Sequence, residues 1–191
     1  MEQIHTYNNG IKFYKSSIYE VALERYEKYI NLHEPFEETL FEHVIKNSDI
    51  KTFIDVGSAW GYYSLLAKKL NNKIKVIGFD SDKNMINNSY KNGKLNNITD
   101  IDFRYGGIPK QFKLSEVIAE VKQIDLIKID IQGAATDALK SADKDIVKIK
   151  NVILGTHGTE HDDCHKIFKD YGFDIKLDLK NEEIPIQPDG I

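Results

Sequence analysis

The sequence predicts an α/β fold in which helices cover both faces of a mostly parallel sheet. From Lys51 onward, short apolar runs of strand length alternate with segments whose apolar residues recur at helical spacing. Strands that alternate with helices are joined by right-handed crossovers, so they form a parallel sheet. The 191 residues show no internal repeat and no linker, which predicts one domain with a sizeable core.

The composition is that of an ordinary globular protein. Hydrophobic residues make up 41% and charged residues 29%, and no apolar run approaches the ~20 residues that a membrane span needs. The formal net charge is −4 with both signs interspersed, which gives no basic face for nucleic acid. The single cysteine, Cys164, cannot form an internal disulfide, and the N-terminus has no signal-peptide pattern. We therefore expect a cytoplasmic protein with neither a nucleic-acid nor a membrane partner.

Residues 1–48 precede the alternation and predict an N-terminal extension that caps a core at 49–191. Ile4 to Tyr14 is expected to form a hairpin that turns at Asn8-Asn9-Gly10. Residues 17–30 begin as a capping box and continue as an amphipathic helix. A second helix is expected over Phe36 to Lys46. Its inward-facing residues are expected to be Leu40 and Val44.

Strands of the core are predicted at Thr52–Val56, Ile74–Phe79, Ile101–Tyr105, Ile124–Ile129 and Asn151–Leu154. Phe173 to Leu179 and Ile184 to Ile191 are expected to add a C-terminal antiparallel hairpin, which makes a seven-stranded sheet. Gly93 and Gly172 are expected to end the helices before them. Ligands of such sheets bind at the carboxyl ends of the strands, so the residues that follow the strands are the candidates for function.

The first core strand runs into a glycine loop that opens the next helix, Asp55-Val56-Gly57-Ser58-Ala59-Trp60-Gly61. Gly57 allows a sharp turn, and Gly61 allows the helix to begin close to a ligand. The spacing D-x-G-x-x-x-G differs from the dinucleotide fingerprint G-x-G-x-x-G. Asp55, two positions before the first glycine, suits a ligand that carries an ammonium group better than a pyrophosphate. A tight turn with a buried, capped aspartate explains the same residues.

Asp80 ends the second core strand, where its carboxylate can accept hydrogen bonds from both hydroxyls of a ribose. Such charge-assisted hydrogen bonds contribute roughly 1.5–3 kcal/mol each. The alternative is an N-cap for the next helix, a role that Ser81 or Asp82 could fill equally well. The loop and the acid together indicate an adenosine ligand, although they do not separate S-adenosylmethionine from NAD. Further cofactor contacts are expected from Ser58, Ala59, Tyr62, Ser81, Met85, Gly106 and Gly107.

Two blocks of the chain resemble FkbM-type methyltransferases. Asp55 to Leu66 (DVGSAWGYYSLL) is similar to the family's D-V-G-A-x-x-G-Y-Y loop, and Leu126 to Leu139 (LIKIDIQGAATDAL) is similar to its L-I-K-I-D-x-E-G-A-E block. Tyr26 to Glu38 and Leu154 to Gly158 extend the resemblance from about Arg25 to the C-terminus. The resemblance implies a Rossmann-like class I methyltransferase fold, S-adenosylmethionine as cofactor and O-methylation of a hydroxyl on a sugar or small metabolite.

Two residues depart from the family block. Gln132 stands where glutamate is usual, and Ala135 stands where a second glutamate is common. If either acid assists catalysis in the family, that assistance is missing here. A hypothesis of another class is therefore a binding or assembly protein that keeps the fold without the activity. An NAD-dependent oxidoreductase is the third hypothesis, and the spacing of the glycine loop disfavours it.

Asp130 and His157 follow the fourth and fifth core strands, so both can face the transferred methyl group and the substrate. A hydroxyl nucleophile needs a base near its proton, and histidine titrates near neutral pH. Asp130 is either that base or a residue that positions the cofactor. His157 is either the base or an ordinary loop histidine. Further substrate contacts are expected from His33, Glu34 and Gln132, although an ordinary helix start explains the first two nearly as well.

A metal site is a weaker possibility near the last helix. His161 and His165 lie one helical turn apart, with Cys164 between them and His157 close in sequence. A structural zinc site normally has four ligands with tighter pairing. The polar first turn of a surface helix explains these residues better, so no metal is predicted. The sequence leaves the oligomeric state open.

Overall fold

The computed structural model describes residues 2–28 and 31–179. The strands are β1 (Ile4–Thr6), β2 (Lys12–Tyr14), β3 (Thr52–Val56), β4 (Lys75–Asp80), β5 (Asp102–Tyr105), β6 (Leu126–Asp130) and β7 (Val152–Gly155). The helices are α1 (Glu20–Lys28), α2 (Pro35–Asn47), α3 (Tyr62–Leu70), α4 (Lys83–Leu95), α5 (Leu114–Val121), α6 (Ala135–Lys140) and α7 (Glu160–Asp170). Short 3-10 turns cover Lys15–Ser17 and Asp143–Lys148.

The main sheet has the strand order β5-β4-β3-β6-β7, and each neighbouring pair is parallel. Its central strands are buried on both faces, as expected for apolar strands covered by helices. The chain builds outward from β3 to β5 and then returns to place β6 on the other side of β3. The loops after β3 and β6 therefore lead in opposite directions, and this switch point is where such sheets bind ligands.

The predicted number of strands is wrong for this sheet, which has five parallel strands over the described residues rather than seven. Residues 173–179 form no strand. Asp178 of this segment instead contacts the imidazoles of His161 and His165 on α7, so side chains rather than strand pairing hold the segment. The second half of the predicted hairpin, Ile184 to Ile191, lies outside the described residues.

The N-terminal hairpin is confirmed, with β1 and β2 antiparallel and Ile4 opposite Tyr14. Gly10 adopts a φ of +78° at the turn, and its N–H donates to the Tyr7 carbonyl at 2.8 Å. The ring of Phe13 stacks on that of Tyr62 in α3, so the extension packs directly on the core. The extension is therefore part of the folded unit over the described residues.

Packing on the two faces of the sheet forms two apolar clusters, which α2 and α3 cover on one side and α5 and α6 on the other. Pro35 begins α2 at a position where a missing N–H costs nothing. The predicted inward residues of α2 are displaced by one position, because Phe41 and Ile45 are its buried apolar residues. Leu40 and Val44 are partly exposed and line a cavity.

Two glycines were expected to end helices, and only one does. Gly172 follows α7 with a φ of +76°, as predicted. Gly93 lies inside α4, which continues to Leu95. A β-carbon at Gly93 would lie 2.6 Å from the Ile98 carbonyl oxygen, so the glycine makes room for the chain that leaves the helix. Within residues 2–28 and 31–179, no helix is long and apolar enough to cross a membrane.

Candidate active site

The glycine loop turns at Gly57, immediately after β3. Gly57 adopts a φ of +86°, and the N–H groups of Gly57 and Ser58 both donate to the Phe79 carbonyl at 2.9 Å. A β-carbon at Gly57 would stand 2.0 Å from the Asp130 main-chain oxygen. Only glycine fits at position 57 of the predicted turn, because any side chain would collide with the end of β6.

Gly61 and Met85 do not face the ligand side. Gly61 is the N-cap of α3 with a φ of +90°, and a β-carbon there would lie 3.1 Å from Ser89 Oγ and 3.2 Å from the Phe103 ring. It thus allows α3 to pack against α4 and β5. Met85 packs partly buried against the core. Neither residue lines the cavity described below, so the structure does not bring these two together with the other predicted contacts.

Asp80, at the end of β4, holds two segments of the chain. Its Oδ2 accepts a hydrogen bond from Ala59 N at 2.8 Å, and its Oδ1 accepts one from Asp82 N at 2.8 Å. The N-cap of α4 is Asp82, which accepts from Asn84 N at 2.7 Å. The alternative helix-capping role therefore belongs to Asp82. Burial raises the pKa of Asp80, while the two backbone donors oppose that rise.

A cavity of about 910 Å³ opens along the carboxyl ends of β3, β4, β6 and β7. That volume is within the ~300–1,000 Å³ range of ligand sites. All the predicted site residues except Gly61 and Met85 line it. These are His33, Glu34, Asp55, Gly57, Ser58, Ala59, Tyr62, Asp80, Ser81, Gly106, Gly107, Asp130, Gln132 and His157. Because the carboxyl ends of the parallel strands meet at one edge of the sheet, residues that are far apart in the sequence lie together here.

Asp55 is almost fully buried, with 2% of its surface exposed. Ser64 Oγ donates to its Oδ2 at 2.6 Å, which ties the end of β3 to α3. Burial raises the pKa of Asp55 to about 6, with Lys128 acting in the opposite direction. The structure thus shows the buried, hydrogen-bonded aspartate that was the alternative explanation. Contact between Asp55 and a ligand ammonium group stays a prediction.

Asp130 and His157 form a hydrogen-bonded pair across the ends of β6 and β7. His157 Nε2 lies 2.8 Å from Asp130 Oδ1. A β-carbon at Gly155 would lie 3.2 Å from the same carboxylate oxygen, so the glycine gives Asp130 its space. Lys128 and the hydrogen bond from His157 hold the pKa of Asp130 well below its usual range. The hydrogen bond to Asp130 in turn raises the pKa of His157.

Lys128, Glu37 and Tyr63 were not singled out from the sequence. Lys128 is 2% exposed, and its Nζ lies 2.9 Å from Glu37 Oε1, 3.1 Å from Asp130 Oδ2 and 4.6 Å from the centre of the Tyr63 ring. Burial opposes the charge on Lys128, but Asp130 and Glu37 outweigh it and raise its pKa well above the usual value. The available signal was a lysine within an apolar strand, two residues before an aspartate and therefore on the same face.

His33 and Glu34 bring the N-terminal extension to the cavity wall. The His33 ring packs 4.4 Å from the ring of Tyr62, and its Nδ1 is hydrogen-bonded to the Tyr26 hydroxyl. Burial, followed by the charge of Lys128, lowers the pKa of His33 to about 3. Glu34 Oε2 accepts a hydrogen bond from the Tyr63 hydroxyl at 2.8 Å. The predicted substrate contacts thus lie at the cavity, and their substrate role stays a prediction.

The two departures from the family block lie in different environments. Gln132 is exposed at the cavity wall, where it can meet a ligand. Ala135 is fully buried at the start of α6 among the apolar residues of that face of the sheet. A glutamate at 135 would bury a charge, so the alanine is explained by packing.

The residues considered for a metal do not converge. His157 contacts Asp130, whereas His161 and His165 contact the two oxygens of Asp178 at 2.7 and 3.1 Å. Cys164 is buried with its sulfur 3.3 Å from Thr136 Oγ1. In the part of the chain that the structure describes, no group of three or more histidine, cysteine or acidic side chains is placed to hold a metal ion.

Comparison with known proteins gives a family. The sequence profile described as "Methyltransferase domain" matches residues 47–169, which is more than half of the chain. No curated protein sequence matches significantly.

Among solved structures, the ribosomal protein L11 methylase of Lactobacillus delbrueckii subsp. bulgaricus is 22% identical, with 78% of this chain and 74% of that chain covered and a TM-score of 0.56. The precorrin-6y C5,15-methyltransferase of Geobacter metallireducens GS-15 is 11% identical, with 71% and 70% covered and a TM-score of 0.56. A SAM-dependent methyltransferase from Aquifex aeolicus is 15% identical, with 78% and 82% covered and a TM-score of 0.51. At these identities the similarity shows the fold alone, a Rossmann-like methyltransferase fold.

The cavity fits the cofactor of such a domain. Asp80 presents a partly exposed carboxylate at the end of β4, and the glycine loop passes beside it without a side chain at Gly57. Ser58 Oγ is buried with no hydrogen-bond partner among the described residues, which leaves a polar group of the loop unsatisfied. Glu34, Glu37 and Asp130 also line the cavity. The chain belongs to the methyltransferase-domain family, and its cofactor is S-adenosylmethionine.

Proposed function

We propose that this protein is an O-methyltransferase of the FkbM type that methylates a hydroxyl on a sugar or other small metabolite. The observation that carries the proposal is the 2.8 Å contact between His157 Nε2 and Asp130 Oδ1 at the wall of the cofactor cavity. A histidine held by a carboxylate at the carboxyl ends of two strands is an arrangement that can remove a proton from a hydroxyl. The two sequence blocks that resemble the FkbM type support the same reaction.

Asp130 orients the base. With Nε2 bonded to the carboxylate, the neutral imidazole of His157 keeps its proton on Nε2 and leaves Nδ1 free to accept the proton of the acceptor hydroxyl. The imidazolium that forms is stabilised by the negative charge of Asp130. His157 is then the catalytic base, and Asp130 is the residue that positions it.

When bound, the cofactor would supply an electrophilic methyl group on its sulfonium, and S-adenosylhomocysteine would be the leaving group as the acceptor oxygen gains that methyl group. Asp80 would bind the ribose hydroxyls with the lone pairs that Ala59 N and Asp82 N leave free. The glycine loop at Gly57 to Ala59 would hold the amino-acid end. The remaining predicted cofactor contacts, Tyr62, Ser81, Gly106 and Gly107, line the same cavity. Positioning of this kind can supply on the order of 7–11 kcal/mol of the barrier.

The proposed function also includes a cellular location, a domain organisation and a class of acceptor. We place the protein in the cytoplasm as one domain, in which residues 1–48 cap a core at 49–191. Its partner is a small hydroxylated acceptor rather than nucleic acid or membrane, in line with the net charge of −4. His33, Glu34 and Gln132 would contact that acceptor. The related structures carry different activities in their names, so the fold does not select the acceptor.

The test follows labelled methyl groups from S-adenosylmethionine into a metabolite extract. We expect labelled ethers, and we expect His157→Ala to lower turnover by roughly two to four orders of magnitude. The affinity for S-adenosylhomocysteine, measured by calorimetry, should stay unchanged. His43→Ala is the matched control, because His43 is exposed on α2 and bonds only to Asn47 among the contacts described. Equal turnover in the two variants would remove His157 from catalysis. Cofactor binding without any labelled product would instead indicate a binding protein on this fold.

A further inference from the structure

A continuous chain of four titratable side chains crosses the wall of the cavity. It begins at Glu37 on α2, passes through Lys128 and Asp130 on β6 and ends at His157 after β7. The three contacts measure 2.9, 3.1 and 2.8 Å. Residues 37 and 157 lie 120 residues apart in the sequence, so the N-terminal extension takes part in the same network as the candidate base.

Lys128 divides the two oxygens of Asp130 between two partners. Lys128 Nζ donates a hydrogen bond to Asp130 Oδ2, and Asp130 Oδ1 is bonded to His157. A carboxylate that is held at one oxygen cannot rotate freely about its Cβ–Cγ bond, so the other oxygen has a defined direction. Lys128 is itself held by Glu37 and by the face of the Tyr63 ring, and its side chain is only 3% exposed.

We propose that Lys128 is a positioning residue that fixes the Asp130 carboxylate toward His157 and offsets the negative charge felt by the imidazole. The inference rests on the proposed role of His157 as the base. Without Lys128, Asp130 would act on His157 as an uncompensated anion, and the imidazole would hold its proton to higher pH.

The charges around the imidazole agree with this role. Asp130 and Glu160 raise the pKa of His157, while burial and Lys128 lower it. Lys128 in turn faces four carboxylates, which belong to Glu34, Glu37, Asp55 and Asp130. Among these groups Lys128 is the cation that touches the carboxylate bonded to His157. The pKa of His157 is raised overall, and the charge of Lys128 limits that rise.

A purely structural role for Lys128, as an anchor of α2 to the sheet, predicts a different outcome. An anchor would change the stability of the protein without changing the titration of His157. The test is therefore an NMR titration of the His157 imidazole, assigned by the signal that is missing in His157→Ala. The measurement needs neither an acceptor nor turnover, so it remains valid if the proposed methyl transfer fails.

In Lys128→Met, we expect the titration midpoint of His157 to move to higher pH and the acid limb of kcat/KM to move with it. Turnover at pH 6 should fall about tenfold for each unit of that movement, and the affinity for S-adenosylhomocysteine should not change. Lys128→Arg keeps the charge and should return the midpoint toward the wild-type value. The double variant Glu37→Gln/Lys128→Met removes both partners of the buried pair and serves if the single variant does not fold. An unchanged midpoint in a folded variant would overturn the proposal.

Discussion

Gly57 and Asp130 meet at a point where no side chain fits, because a β-carbon on Gly57 would stand 2.0 Å from the Asp130 main-chain oxygen. Gly57 belongs to the glycine loop after β3, and Asp130, one half of the candidate catalytic pair, ends β6. The two loops at the switch point of the sheet are therefore held in direct contact. In the proposed function, their contact would set the position of the cofactor relative to His157.

Gly57→Ala should destabilise the protein by more than about 3 kcal/mol, because a strained positive φ and an overpacked contact act together. It should also abolish measurable binding of S-adenosylhomocysteine. Gly133→Ala is the matched control, since Gly133 has a φ of +62° but no atom within 4 Å of its β-carbon position. That variant should lose only about 1 kcal/mol. Urea unfolding measures both, and equal losses would show that the contact with Asp130 is unimportant.

Asp80→Ala should weaken the binding of S-adenosylhomocysteine by about 3 kcal/mol, more than a hundredfold, because two charge-assisted hydrogen bonds to the ribose are lost. The loop at Ala59 should also loosen, because Asp80 accepts its N–H. Asp82→Ala removes the N-cap of α4 and should cost about 1 kcal/mol of stability without changing the dissociation constant. Calorimetry measures the dissociation constant of S-adenosylhomocysteine for both variants. If Asp80→Ala binds as tightly as the wild type, Asp80 stabilises the loop and does not bind the ribose.

Asp130→Asn should move the acid limb of kcat/KM to lower pH. The hydrogen bond and charge of Asp130 raise the pKa of His157, so a neutral amide lets the imidazole lose its proton at lower pH. Maximal turnover should fall as well, because the imidazolium is no longer stabilised. This shift is opposite in sign to the one expected for Lys128→Met. A pH profile of methyl transfer measures it, and an acid limb at the wild-type position would mean that another group is the base.

His33→Gln should make the protein less sensitive to acid. The folded state holds the pKa of His33 at about 3, whereas the unfolded chain takes up the proton near 6.5. Stability is therefore lost as pH falls from about 6.5 toward 3, and between pH 7 and pH 5 this loss is about 1–2 kcal/mol. Removing the imidazole removes that part of the slope, whatever the substitution costs at pH 7. Urea unfolding at both pH values tests it, with His43→Gln as the exposed control. An unchanged slope in His33→Gln would contradict the assignment.

Local pattern determined much of the fold. The turn at Asn8-Asn9-Gly10, the alternation of strands and helices from Lys51 and the glycine loop at Gly57 depend on residues near one another in sequence, so periodicity and turn chemistry predict them. The position of the cavity could also be predicted, because all parallel strands end at the same edge of the sheet and ligands bind at that edge. Asp80, Asp130 and His157 were found in this way.

Contacts between distant segments decided the rest. The sequence by itself determined that an acid would end β4. Only the fold shows that Asp82 caps α4, whereas Asp80 accepts a hydrogen bond from Ala59 N in the glycine loop. The fold also set Glu37 against Lys128, since α2 and β6 meet only when the N-terminal extension packs on the sheet. These pairings depend on desolvation and charge in a shared interior, and neither follows from the spacing of residues along one element.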